Sequence, residues 1–310
     1  MLTFPIETDL YTRTFAAEID VLADNSLFVR GELQDQRVTL AHQWTLRTPA
    51  YEVLDAQAQQ LAGDAAQFAP ELCERYAAIA GVRIGRGFTK NILNALGDLP
   101  GAQQHLLLAL EMARVGQQVY QFPPELDAQF PPHDDSTTAV ARAAWLKDRA
   151  YMGDLIDSCY TYRNETADLF DTRTVRCGFD ATLTRPQPGD RRAFWRNKRL
   201  TITRQTDGFA CESAMEDRIH DILIRFDLSG EGLISNATSR GLRLPYHGIC
   251  EDPQLRTAGL NGLCVTSAYV KQFAEHVGGA TGCTHLFDLS MDCLRLFQFG
   301  RRRPEYRHRA

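Results

Sequence analysis

Between residues 11 and 60, apolar and polar residues alternate in short runs. The runs are Thr12–Val21, Leu27–Leu33, Val38–Arg47 and Tyr51–Leu54, with the polar turn Ala23-Asp24-Asn25-Ser26 between the first two. A two-residue period broken by short polar turns predicts an antiparallel meander. The period then changes. Residues 68 to 121 read as helical, and His105–Arg114 carries a strong apolar stripe. The second half repeats this order. Leu200–Arg204, Phe209–Glu212, Ile219–Phe226 and Leu233–Thr238 read as strands, and two or three helices follow from about 254 to 299. The last of them starts at the stretch Gly279–Leu289, where a glycine-containing turn leads into the apolar positions Leu286, Leu289, Cys293 and Leu296.

Individual residues recur with the pattern. His42 and Arg47 stand 178 positions before His220 and Arg225, and Cys73 stands 177 before Cys250. Ala80-Gly81 precedes Ala258-Gly259 by 178, and His105-Leu106 precedes His285-Leu286 by 180. Near-constant offsets predict an internal duplication. Between the halves, Phe122-Pro123-Pro124 and Phe130-Pro131-Pro132 are breakers, and Asp134-Asp135-Ser136 offers a helix N-cap. A helical pattern with Trp145, Tyr151, Tyr160 and Tyr162 then spans about Thr138 to Phe170 and reads as a long helix fastening the halves, rather than as a pocket wall. The expected fold class is α+β: two tandem repeats, each an antiparallel β-meander packed by helices, joined by a long helix. The expected boundaries are 1–121 for the first repeat, 122–190 for the Pro-rich linker and long connecting helix, and 191–310 for the second repeat.

Composition narrows the partners. A 310-residue chain that is 44% hydrophobic and 24% charged can bury a sizeable core, and its net charge of −5 argues against a nucleic-acid partner. The basic residues Arg191, Arg192, Arg196, Lys198 and Arg199, and the tail Arg301-Arg302-Arg303, read as solvated linker and tail. No signal-peptide pattern opens the sequence and no apolar run approaches the ~20 residues of a membrane span, so a cytoplasmic location is expected. The eight cysteines form no C-x-x-C pair and read as reduced thiols.

The candidate chemistry lies in the second half. His220-Asp221 opens a strand, Tyr246 to Cys250 follow the next strand in a loop, and Cys283-Thr284-His285 opens a helix. These positions can share one end of a sheet. A thiol beside an imidazole at a helix start suits a nucleophile, and a histidine with a neighbouring carboxylate suits a general acid or base. Cys250, Cys283 and His285 are alternatively candidate ligands of zinc or iron. The first half has Gln103 where Cys283 stands and Gln43 where Asp221 stands, so the site is expected mainly in the second half. The chain carries no phosphate-binding loop, dinucleotide fingerprint, G-x-S-x-G or H-E-x-x-H.

The set His220-Asp221 with Arg225, Pro245-Tyr246 with Cys250, Gly259-Leu260 and Gly282-Cys283-Thr284-His285-Leu286 with Asp288-Leu289 resembles a bacterial family of domains of unknown function, family 2889. The resemblance covers about residues 195 to 300 well and residues 10 to 121 more weakly. It implies no established chemistry. A more distant likeness is to the iron–sulfur scaffold and sulfur-acceptor fold, whose pattern places a cysteine after a strand and a Cys/His pair at a late helix. That pattern calls for a third cysteine between them, where this chain has only Cys264.

The functional expectation is a nucleotide-independent enzyme of lyase or hydrolase type. It acts on a small organic molecule, for which the aromatic middle helix is the sole hint of an aromatic substrate, with Cys283, His285, His220, Asp221 and Cys250 as its chemistry and Tyr246 as a pocket wall. No cofactor is identified, with zinc or iron under the metal-binding alternative. A non-catalytic binding or assembly module is the third reading. The expected partners are a small-molecule substrate and a second copy of the chain in a homodimer, with no nucleic acid and no membrane.

Overall fold

The structure is a computed structural model describing residues 2–5, 7–64, 66–119, 122, 125, 128, 137–179, 183 and 186–299. The alternation of the first half becomes β1 (Leu2–Thr3), β2 (Leu10–Val21), β3 (Leu27–Gln34), β4 (Val38–Arg47) and β5 (Glu52–Gly63). Helices α1 (Glu71–Tyr76), α2 (Phe88–Leu96) and α3 (Ala102–Gly116) follow. The middle segment holds α4 (Thr138–Tyr151), α5 (Leu169–Thr172) and β6 (Arg176–Cys177). The second half supplies β7 (Phe194–Gln205), β8 (Gly208–Asp217), β9 (Asp221–Ser229), β10 (Ile234–Arg243) and β11 (Tyr246–His247). It closes with α6 (Asp252–Leu255), α7 (Tyr269–Val277), α8 (Thr284–Leu294) and β12 (Gln298–Phe299). The fold is α+β, as its pattern predicts.

Both meanders belong to one antiparallel sheet of eight strands, ordered β10-β9-β8-β7-β2-β3-β4-β5. The join is the pairing of β2 with β7, running from Leu10 opposite Thr203 to Ile19 opposite Phe194. The long helices lie on one face, α3 against β2, β3 and β4 and α8 against β7, β8 and β9. Strand alternation explains which face. On β4 the buried positions are Val38, Leu40, His42, Trp44 and Leu46, and the residues between them are half-buried or exposed. The uncovered face carries polar pairs such as Arg30 with Glu18 at 2.6 Å.

Two apolar clusters fill the helix-covered face, one centred on Trp44, Tyr76 and Ile92 and the other on Phe226, Phe273 and Leu289. Each borrows from the other half: Tyr11 of β2 packs in the second cluster and Phe194 of β7 in the first. At roughly 1.5–3 kcal/mol per buried large apolar side chain, this exchange makes the seam part of the core.

Two expectations are corrected. The connecting helix is not continuous to Phe170. It ends at Tyr151, and short 3-10 turns at Gly153–Leu155 and Asn164–Asp168 carry the chain to α5. Gly153, Asp157 and Asn164 favour turns over helix, and Asp157 takes a left-handed backbone (φ 59°). The helix is capped by Thr137, whose Oγ1 accepts from the Val140 amide at 3.3 Å. Asp134-Asp135-Ser136, Phe130-Pro131-Pro132 and the tail Arg301-Arg302-Arg303 lie outside the described residues. Nor is the basic run a solvated linker throughout. Arg196 and Lys198 share the inward parity of Phe194, Leu200 and Ile202 on β7, so both are buried. Arg191 and Arg192 are paired with Asp20 and Glu18. Among the described residues no helix is long and apolar enough to cross a membrane.

Candidate active site

The histidines that recur along the sequence meet in pairs. In the first half, His42 on the third strand of the meander and His105 in the first turn of α3 are hydrogen-bonded, Nε2 to Nδ1, at 3.0 Å. Both are 1% exposed, and the Tyr76 ring covers His42 at 4.0 Å between centroids. Burial pushes the His105 imidazole down to about 4 and His42 well below its ordinary range. This pair is neutral and sealed from solvent.

In the second half, His220 just before β9 and His285 in the first turn of α8 meet at 4.0 Å between ring centroids, tilted by 46°. This pair differs in two ways. His285 is only half-buried, and His220 has a carboxylate. Asp217, at the end of β8, accepts the backbone amides of Ile219 and His220 at 2.7 Å each and lies 3.2 Å from His220 Nδ1. The other Asp217 oxygen takes Arg196 Nε at 2.8 Å. Burial would push the Asp217 carboxyl up, but His220 and Arg196 outweigh it and hold it far below the usual range. With Asp217 ionised, the His220 Nδ1 that faces it is a donor. Burial, His220 and Arg196 hold His285 well below its ordinary value, so it is a neutral imidazole at pH 7.

The first turn of α8 also carries Cys283, its N-cap residue. A helix start favours a thiolate, and the amides of Leu286 and His285 do pull this thiol down. Burial outweighs them and pushes it up to about 12, so Cys283 is a protonated thiol at neutral pH. Cys250 is buried, with Sγ 3.0 Å from Thr161 Oγ1, and burial raises it further. Both cysteines feel Cys159, which comes from the turn after α4. Cys264, the thiol between them in sequence, is instead at the far end of β10, bridged to Leu233.

Two expected site residues are placed apart from the histidine pair. Asp221 is the next residue on the strand, and alternation puts it on the uncovered face, opposite His220. Tyr246 is fully buried, and its hydroxyl donates to Asp148 Oδ2 at 2.8 Å, beside the Tyr162 hydroxyl at 2.7 Å. It fastens α4 to the second half. The spacing Asp217-x-x-His220 is the one sequence signal that points to Asp217.

A second polar cluster fills the seam. Lys198 Nζ lies 3.0 Å from Glu111, 2.9 Å from Asp288 and 2.5 Å from Asp292. Arg114 pairs with Glu111 and, at 2.8 Å, with Asp288, and Arg13 reaches the Asp292 carbonyl at 3.1 Å. The three carboxylates lie close enough together to hold a metal ion. Their donor set suits a hard cation, but the fit fails on charge: the Lys198 ammonium already occupies their common centre, and three cations balance three carboxylates. Among the described residues this is the group of His, Cys, Asp and Glu atoms with ligand spacing, and Cys250, Cys283 and His285 do not form one.

No curated protein matches the chain. Among solved structures, a protein of Clostridium difficile 630 described as a lipoprotein aligns with 75% of this chain and 84% of its own at 9% identity, but its TM-score of 0.13 carries no argument. Residues 196–296, which hold Arg196, Asp217, His220, Cys250, Cys283 and His285, match the family described as protein of unknown function (DUF2889).

Proposed function

We propose that the chain is a nucleotide-independent enzyme of lyase or hydrolase type, acting on a small organic molecule by general acid–base chemistry at the second-half histidines. One observation supports this reading above the others: the contrast between the sealed His42–His105 pair and the half-exposed His285 next to an Asp217-anchored His220. In this reading His285 is the substrate-facing base. It takes a proton from a substrate carbon or from water, and the imidazolium that forms is stabilised by the charge of Asp217 through His220. Arg196 keeps Asp217 ionised and is a positioning residue. A neutral imidazole at neutral pH suits a base, and such groups contribute about 10²–10⁴ in rate. Cys283, protonated, serves as a neighbouring donor and not as the nucleophile.

The test is a panel of activated esters, thioesters and β-eliminating aromatic acids, assayed with wild-type protein and with His285→Gln, His220→Gln and His42→Gln. Turnover that falls at least 100-fold in the first two and persists in the third supports the reading. Turnover unchanged in His285→Gln and His220→Gln refutes it. The metal-binding alternative makes a different forecast: zinc or iron in stoichiometric amount in the purified chain, lost in Cys250→Ser and Cys283→Ser.

A further inference from the structure

The turn after α4 is pinned against the start of α8. The Tyr160 amide donates to the Gly282 carbonyl at 2.8 Å, and Thr284 Oγ1 donates to the Ser158 carbonyl at 3.1 Å. Residues 160 and 158 therefore face 282 and 284, and the residues between them, Cys159 and Cys283, face each other. One contact is backbone to backbone and the other side chain to backbone, and between them the two thiols come close enough that Cys159 acts electrostatically on Cys283; a disulfide needs their Cα atoms roughly 4.4–6.8 Å apart. Three further contacts hold the turn in place. Tyr160 Oη donates to Asp252 at 2.6 Å, Thr166 Oγ1 donates to the Tyr160 carbonyl at 2.7 Å, and Thr161 touches the Cys250 thiol at 3.0 Å. Cys159 and Cys283 are both half-buried rather than sealed, whereas Cys250 behind them is buried.

We propose that Cys159 and Cys283 are a redox modification site that closes to a disulfide on reaction with a low-molecular-weight disulfide. The Cys283 sulfur gives up its proton as it attacks one sulfur of the reagent, forming a mixed disulfide and releasing one reagent thiolate, which takes up that proton. The Cys159 sulfur, losing its proton in turn, then attacks the Cys283 sulfur and releases the second reagent thiolate, which is protonated. Two protein thiols are oxidised to one disulfide, and one reagent disulfide is reduced to two thiols. The bond would fix the turn to the first turn of α8, two residues before His285. The inference stands on the contacts that pin the turn against α8 and does not depend on the acid–base reading.

The experiment uses the full chain, fully reduced and then incubated with glutathione disulfide. Thiols are counted after denaturation, and a non-reducing digest is mapped by mass spectrometry. The expected result is a fall from eight titratable thiols to six, with one cross-linked peptide joining Cys159 to Cys283. Cys250→Ser retains the cross-link, and Cys159→Ser and Cys283→Ser lose it. The proposal is overturned if the wild-type chain keeps eight thiols, carries only glutathione adducts, or joins a different pair such as Cys159 with Cys250. The wild-type map decides this even where a variant fails to fold.

Discussion

The seam cluster allows the sharpest test of how the two halves are held together. Lys198 on β7 is surrounded by Glu111 from α3 and by Asp288 and Asp292 from α8, with its ammonium 2.5–3.0 Å from one oxygen of each. Burial alone would lower its proton affinity, but the three carboxylates outweigh that and raise it, so the lysine is charged throughout the folding range. Lys198→Met keeps most of the aliphatic stem and removes the charge. Three carboxylates, those of Glu111 and Asp292 buried and that of Asp288 partly buried, then face two guanidinium groups, Arg114 and Arg13. Removing one partner of a buried, hydrogen-bonded ion pair costs about 3–5 kcal/mol. That loss should be read in global unfolding, because the ammonium ties both helices to a central strand. Asp292→Asn added to Lys198→Met restores charge balance. Asp292 is the carboxylate to neutralise, since burial, Asp288 and Glu111 all push it up. The double variant should recover about 1–3 kcal/mol relative to the sum of the singles. Urea unfolding followed by tryptophan fluorescence and far-UV circular dichroism measures both quantities. A loss under about 1 kcal/mol in Lys198→Met, or a double variant no better than additive, refutes the claim that this charge balance holds the seam.

The remaining predictions concern single sites. Burial raises the Asp148 carboxyl to about 6, against the pull of the Tyr162 and Tyr246 hydroxyls and Lys147. Its folded value exceeds its unfolded one, so its contribution is fully present below the unfolded value of about 3.9 and is lost as pH rises through 6. Unfolding free energy compared between pH 5 and pH 7 should show this component, on the order of 1–2 kcal/mol, in the wild type and not in Asp148→Asn; identical pH profiles would refute it. Asp217 has the opposite sign: its folded value is depressed, so its stabilisation holds at neutral pH and is lost as acid protonates it. Acid unfolding of Asp217→Asn should accordingly be shallower than that of the wild type. A side chain at Gly282 would place its Cβ 2.2 Å from the Val277 carbonyl oxygen, whereas one at Gly31 would meet the flexible Met112 side chain at 2.6 Å. Gly282→Ala should therefore lower the melting temperature more than Gly31→Ala, because backbone cannot yield as a thioether can; the reverse order in thermal melts would refute this.

Much of the architecture is legible in the sequence because strand period and helix stripe are local properties. The four alternating runs of each half become β2–β5 and β7–β10, and the Gly279–Leu289 stretch becomes a turn and a helix. The continuous connecting helix is not, because apolar spacing over 138–170 resembles a helix while Gly153, Asp157 and Asn164 turn the chain. The candidate site is legible in part. His220 and His285 do meet, and Cys250 and Cys283 lie in one apolar cluster. Asp217 is marked only by the spacing Asp217-x-x-His220, and Cys159 by no local pattern, because it reaches the site through a turn whose direction the neighbouring residues do not encode. Asp221 misleads because adjacency in a strand means opposite faces.

The sequence by itself determines the elements, their order, and the recurrence of a histidine on the third strand and at the last helix of each half. It also determines the inward parity of Arg196 and Lys198, although a charged residue at an inward position reads as solvated until something is known to cover it. Only the tertiary structure decides that β2 pairs with β7 in one eight-stranded sheet. That pairing brings Glu111, Asp288 and Asp292 around Lys198, while the packing of α3 and α8 seals His42 against His105 and leaves His285 half-buried against His220, which an ionised Asp217 holds. The physical reason is range. Periodicity is set by neighbours a few residues away, whereas the protonation states that make a site depend on groups that only the closed chain brings within a few ångströms.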